Sequence, residues 1–332
     1  MTPVKLVANG VGLFAVLVVG GWILMSLTSH NVTSVCAKRY ETVTELGFRT
    51  LDGERMTPVG LQARAGFTEF GMLENTEVVD ATGAQGFDDA LKIKLAKGTG
   101  SGFGEKGIRG GASFSWIPHE MGEATSACLS YSVFVPKDFK FAEQGMLPGL
   151  FAGRDFDARA EPRPGTGSAL RVGWSKEGLL SIMAQYANDN GWQYLPVARS
   201  RGQLPRGRWA LVEQEIVLNR PGARDGMARL WIDGKLVGEQ SAMLRRQSDI
   251  KIAGVLADVS FGSLFGPAKA AEDTQVLISP LSIRWKDGEP EAPPSTATHG
   301  DEQAVASKEV HPEDQKTEEP DEVAERLLGG GL

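Results

Sequence analysis

Cysteine and histidine are scarce in this chain: 332 residues hold two cysteines and four histidines. Two cysteines do not make a disulfide scaffold, and no Cys-x-x-Cys pair exists to begin a zinc site. His299 and His311 lie in an acidic C-terminal stretch and His30 beside a hydrophobic run, so only His119 falls inside the expected fold. A histidine metal centre is therefore not expected, and neither is a cofactor. Gly-x-Ser-x-Gly, His-Glu-x-x-His and the phosphate-binding loop Gly-x-x-x-x-Gly-Lys-Ser/Thr are absent too, which removes the commonest hydrolase, metallopeptidase and nucleotidase signatures. Cys36 and Cys128 either form one bridge in an oxidising compartment or stay as thiols, Cys128 then being a small buried hydrophobe.

Long apolar runs are also missing, with one exception. Gly10 to Leu27 reads GVGLFAVLVVGGWILMSL, 18 residues without a charge. That is about the minimum for a helix that spans a bilayer. Lys5 precedes it and Lys38 and Arg39 follow well after it, so the positive-inside rule directs the remainder of the chain outward. The run is long for a signal peptide and no small-x-small site follows, so an uncleaved anchor is favoured over cleavage. The expected location is the extracytoplasmic side of a cytoplasmic membrane.

Net charge misleads here. Of the total of −7, the stretch from Asp287 to Leu332 carries 13 acidic and 3 basic residues, a net of −10, which leaves +3 for residues 1–286. That mild excess suits an anionic partner but not a nucleic-acid footprint. The acidic stretch is rich in Pro, Glu, Ser and Thr, and is expected to be disordered. The predicted organisation is an anchor over 1–30, a stalk over 31–46 with a short helix around Val43, a globular domain over 47–286 and a tail over 287–332.

Within the domain the pattern is short, alternating apolar runs. Ala90–Leu95 alternates strictly, and so does Cys128–Val135. Leu170–Trp174 and Leu179–Tyr186 form a predicted hairpin across Lys176-Glu177-Gly178. Trp209–Leu218 is a long strand. Ala228–Ile232 and Lys235–Val237 flank Asp233-Gly234, a strong hairpin signal. Thr274–Ser279 and Leu281–Trp285 complete the set. Many strands at about ten-residue spacing, with no useful helical periodicity, predict an all-β antiparallel sandwich or jelly roll.

Glu213 and Glu215 are spaced as a carboxylate pair on one strand face, as a glycosidase would need. Val212, Gln214 and Ile216 occupy the other face, so the alternation favours a solvated outer face for the glutamates. Trp174, Trp209 and Trp231 are expected in the core.

A second constellation is more specific. Ala127-Cys-Leu-Ser-Tyr-Ser-Val-Phe-Val-Pro136 leads to Gly145-Met-Leu-Pro-Gly-Leu-Phe-Ala-Gly153. Gly167-Ser-Ala-Leu-Arg-Val-Gly-Trp174, Gly207-Arg-Trp209 and Leu230-Trp-Ile-Asp-Gly-Lys-Leu-Val237 follow in order. Over about Ala90 to Trp285 this series resembles the alginate-lyase-like polysaccharide lyases of family fourteen. The resemblance implies a concanavalin-like jelly-roll β-sandwich and β-elimination on an acidic polysaccharide of polyuronate type. Elimination removes the C5 proton of a uronic acid, so a cation must neutralise the carboxylate while a base takes the proton. The family segment reads Gly-Lys-Leu-Pro-Gly-Leu, and here Met146 stands at the lysine position. The family's Ser-x-Arg is matched at Arg171, with Ala169 in place of the serine. The resemblance makes Arg171, Tyr186 and Tyr194 the catalytic candidates. Lys140, Arg154 and Lys176 are the substrate-binding candidates, the alternative for them being solvated loop charges. A lysine at position 94, 140 or 176 that reaches the cleft would replace the missing base. The readings that stay open are an active lyase whose base is altered, to Tyr186 or Tyr194, and an inactive protein on the same fold that binds an acidic glycan or a protein partner.

Overall fold

The computed structural model describes residues 33–101, 109–141, 144–153, 163–188, 190–262 and 268–288, without the side chains of 67–69, 187, 188, 192 and 194–200. Gly10–Leu27 and the acidic tail beyond Gly288 lie outside the described residues. Among the described residues no helix is long and apolar enough to cross a membrane.

In chain order, helix α1 (Val35–Arg39) precedes β1 (Thr42–Leu46), α2 (Pro58–Ala65), β2 (Gly66–Phe70), α3 (Met72–Asn75) and β3 (Thr76–Asp80). There follow β4 (Asp89–Leu95), β5 (Ala112–Trp116), β6 (Ala124–Phe134), β7 (Gln144–Ala152), β8 (Ser168–Ser175), β9 (Leu179–Asn188) and β10 (Gly191–Gln203). The last are β11 (Trp209–Val217), β12 (Gly226–Ile232), β13 (Lys235–Ala242), β14 (Ile252–Phe261), β15 (Thr274–Ile278) and β16 (Leu281–Asp287).

These strands form two antiparallel sheets. One has seven strands in the order β10-β9-β8-β7-β14-β5-β2, and the other nine, with β13-β12-β11-β6-β15-β4-β3 as its main path and β16 and β1 continuing from β6. The two pack face to face as a β-sandwich. Leu91, Ile93, Leu129, Val133, Val212 and Ile216 meet Leu170, Val172, Ile182, Val255 and Val259 in one apolar core. Each such side chain contributes about 1.5–3 kcal/mol on leaving water. The alternation read from the sequence sets these faces. The β12–β13 turn is built as its Asp-Gly requires: Asp233 (φ 50°) and Gly234 (φ 74°) are both left-handed, which matches the twist of the hairpin.

The predicted stalk over 31–46 is corrected by the structure. β1 pairs along its whole length with β16, so Val43 sits in a strand and not in a helix. The helix lies earlier, at α1, capped by Ser34, whose Oγ accepts the Ala37 N–H. α1 packs on the outer face of β6 and β11, where Cys36 is bridged to Cys128.

That docking also corrects the reading of Glu213 and Glu215 as solvated. Both are fully buried. Glu213 accepts hydrogen bonds from Ser34 Oγ (2.7 Å), Val35 N (3.0 Å) and Cys36 N (3.0 Å). Glu215 accepts from Arg39 Nε (2.6 Å), Tyr40 OH (2.8 Å) and Arg229 Nη1 (2.6 Å). Burial, and then the Glu215 charge, push the Tyr40 hydroxyl well above its ordinary range. The alternation had the face right. It could not show that a five-residue helix is laid over that face.

Candidate functional site

Of the motifs read from the sequence, Gly145–Gly153 and Gly167–Trp174 fall on β7 and β8 of the seven-stranded sheet, and the others on β6, the start of β11 and the β12–β13 hairpin of the nine-stranded one. The face turned away from the core is set by register. Leu170, Val172 and Trp174 of β8 point into the core, so Ala169, Arg171 and Gly173 point outward. Arg171 is opposite Met183 on β9, Ala169 opposite Gln185, and Gly173 opposite both Ser181 and Met146. On β14, Leu256, Asp258 and Ser260 share this face, with Ser260 opposite Met146.

Arg171 is the centre of a polar cluster and is fully buried, as are Gln185, Asp258 and Ser260. Its Nη1 donates to Gln185 Oε1 at 2.5 Å. Its Nε lies 3.6 Å from Asp258 Oδ2, and Ser260 Oγ donates to Asp258 Oδ1 at 3.1 Å. Beside this cluster Phe151, Ala169, Ala253 and Leu256 make a small apolar patch with Ile117.

The local geometry depends on the Leu147-Pro148-Gly149-Leu150 turn in β7. Pairing of β7 with β8 shifts between Leu147 and Leu150, a bulge that frees backbone groups from the ladder. They are met from the other sheet, through the core. Tyr131 OH donates to Pro148 O (3.0 Å), and Gln214 accepts from Leu150 N (2.8 Å) while donating to Leu170 O (2.7 Å). Burial pushes the Tyr131 hydroxyl up, so it remains a donor. Gly149 lies on the outer face opposite Leu256, and a Cβ there would come within 2.2 Å of Leu170 O and 2.6 Å of Arg171 Cα. Only glycine fits there.

The other sequence candidates are spread differently. Tyr186 is opposite Ser168 and follows Ile182 and Ala184, so alternation turns it to the core side of the sheet, away from Arg171. Tyr194 pairs in register with Gln185, and its side chain is outside the described residues. Lys140 lies in the β6–β7 connection, where a 2.8 Å bond to Glu272 holds its ammonium above the usual lysine range. Lys176 is exposed in the β8–β9 turn, and Lys94 belongs to β4 of the other sheet. Arg154 is outside the described residues. None of the three lysines is therefore set on the face beside Arg171. Asp258, Gln185 and Gln214 went unassigned in the sequence reading. An aspartate inside the otherwise apolar and small run Ile252–Phe261 was the available signal, because a buried carboxylate needs a partner.

Comparison with known proteins agrees with this architecture. Among curated proteins none matches the chain. The structure of a marine PL-14 alginate lyase from Aplysia kurodai is 20% identical with a TM-score of 0.60, over 74% of this chain and 100% of that one. The alginate lyase vAL-1 from Chlorella virus is 19% identical with a TM-score of 0.54, over 64% of this chain and 89% of that one. An alginate lyase variant solved with an alginate tetrasaccharide is 16% identical with a TM-score of 0.52, over 76% of this chain and 100% of that one. These likenesses establish the fold, and the sequence model for polysaccharide lyase 14 matches residues 84–275. Since that match covers more than half of the sequence, the chain belongs to the polysaccharide lyase 14 family.

Proposed function

We propose that the chain engages an acidic polysaccharide of polyuronate type on the outer face of the seven-stranded sheet, and that it does so without efficient β-elimination. The family and the alginate lyases of like fold support the ligand class. The second half rests on one observation. The positions beside Arg171 in the register of β7, β8 and β9 are Met146, Ala169, Met183 and Gln185, none of which exchanges a proton, and the one carboxylate described against it, Asp258, is buried as its counter-ion and held by Ser260. Elimination needs a base at C5 and an acid at the leaving oxygen, and each such group contributes about 10²–10⁴ in rate. The domain is read as a jelly roll held outside a cytoplasmic membrane by residues 10–27. The charge-free run and the Cys36–Cys128 bridge support that location, since such bonds persist in oxidising compartments.

One observation favours a second reading, in which Tyr194 is the base: its position is paired directly with Gln185. Incubation of the full chain with alginate and other polyuronates separates the two. The expected result is salt-sensitive binding with no rise in ultraviolet absorbance from an unsaturated product. A rise in absorbance that Tyr194→Phe abolishes would establish the second reading instead. Absence of binding to every polyuronate tried would remove both.

A further inference from the structure

We infer that Asp258 is an internal competitor for the polyuronate: its carboxylate occupies the side of Arg171 that a uronate carboxylate would take. The inference rests on the binding role proposed above. Three observations carry it.

The first is reach. Arg171 is on β8 and Asp258 on β14, with β7 between them. Adjacent strands are about 4.8 Å apart, so the pair spans roughly 10 Å of sheet. It can do so because the strand between them presents the bulge and the bare Gly149 at this level. Arg171 is thus engaged from both sides within the sheet, by Asp258 across β7 and by Gln185 on β9.

The second is chemistry. Gln185 takes Nη1 of the guanidinium on the β9 side, while Asp258 faces Nε on the β14 side. A uronate and an aspartate present the same group, a carboxylate, to a guanidinium fork. An incoming uronate must displace Asp258 from that edge or else sit beside a second negative charge in a buried setting.

The third is the looseness of the contact. At 3.6 Å, Nε and Oδ2 form an ion pair that is longer than the 2.7–2.9 Å of a charge-assisted hydrogen bond. Asp258 is steadied on its other oxygen by Ser260. Such a pair sets a carboxylate against the Nε edge of Arg171 without closing a short hydrogen bond there. Apparent affinity then falls by the fraction of molecules in which the arginine edge is open.

The test is binding of alginate oligosaccharides to the full chain and to Asp258→Asn, which keeps the shape and removes the charge. Tightening by tenfold or more on substitution supports the inference, as does binding by the variant alone. Equal or weaker binding by a folded variant, with the native chain still binding, overturns the competitor and leaves the proposed function in place. Failure of both proteins to bind overturns the inference and the proposed function together. If Asp258→Asn does not fold, the native protein decides. The Arg171 Nε–H resonance should shift on saturation with the oligosaccharide, and binding that leaves it unmoved overturns the inference. So does an absence of binding.

Discussion

Reduction of the Cys36–Cys128 bridge, or its replacement in a Cys36→Ala/Cys128→Ala variant, is expected to destabilise the domain by about 2–5 kcal/mol. The two cysteines are separated by 92 residues, so cutting the bridge restores much conformational freedom to the unfolded chain. The folded state loses something as well. Cys36 lies at the start of α1, and the Val35 and Cys36 amides satisfy the buried Glu213 carboxylate. Without the bridge, local opening of α1 would strand Glu213 and Glu215 on an uncovered sheet face. Denaturant unfolding of the oxidised and bridge-free proteins measures the effect. The midpoint should fall, and the slope should rise because the unlinked unfolded chain exposes more surface. Superimposable curves would show that the clamp is carried by the carboxylates alone. Hydrogen exchange should locate the loss first in residues 35–40.

The parts of this architecture that follow local rules were legible in the sequence. Period-two alternation over Ala90–Leu95 and Trp209–Leu218 gave the faces of β4 and β11, and Asp233-Gly234 gave the hairpin that joins β12 to β13. Legibility failed where two distant segments meet. The cysteine pairing stayed open because alternation says nothing about which chain covers a face, and α1 is too short to carry a period. The family resemblance makes Tyr186, on the next strand, a partner for Arg171. Yet the turn sets Arg171 opposite Met183, and a residue three positions further on must point to the other side of the sheet. Arg171 itself was found through its motif, while its partner Asp258 comes from a strand 87 positions later, brought near by the order β8-β7-β14. The site is therefore a product of topology, and its motif marks only one side of it.

Gln214→Leu should be the most damaging single change that leaves the shape of the core nearly intact. Gln214 is fully buried among Val212, Ile216 and their neighbours, so its amide has no water to turn to. Its two bonds satisfy Leu150 N and Leu170 O, which face each other at the end of the register shift between β7 and β8. A leucine of similar volume removes both partners at once. Each stranded backbone group then costs about 1–3 kcal/mol, for a total of roughly 2–6 kcal/mol before any relaxation. Relaxation would take the form of movement at Pro148-Gly149, with consequences on the outer face, because Gly149 lies against the Arg171 backbone. The variant should therefore lose polyuronate binding more steeply than its melting temperature alone accounts for. Tyr131→Phe offers the comparison, since it strands the single group Pro148 O and should cost about 1–3 kcal/mol with binding largely retained. Calorimetric unfolding together with oligosaccharide titration reads both quantities. Equal losses in the two variants would mean that Gln214 does not support the turn, and that β7 holds its bulge by the pairing of its own strand.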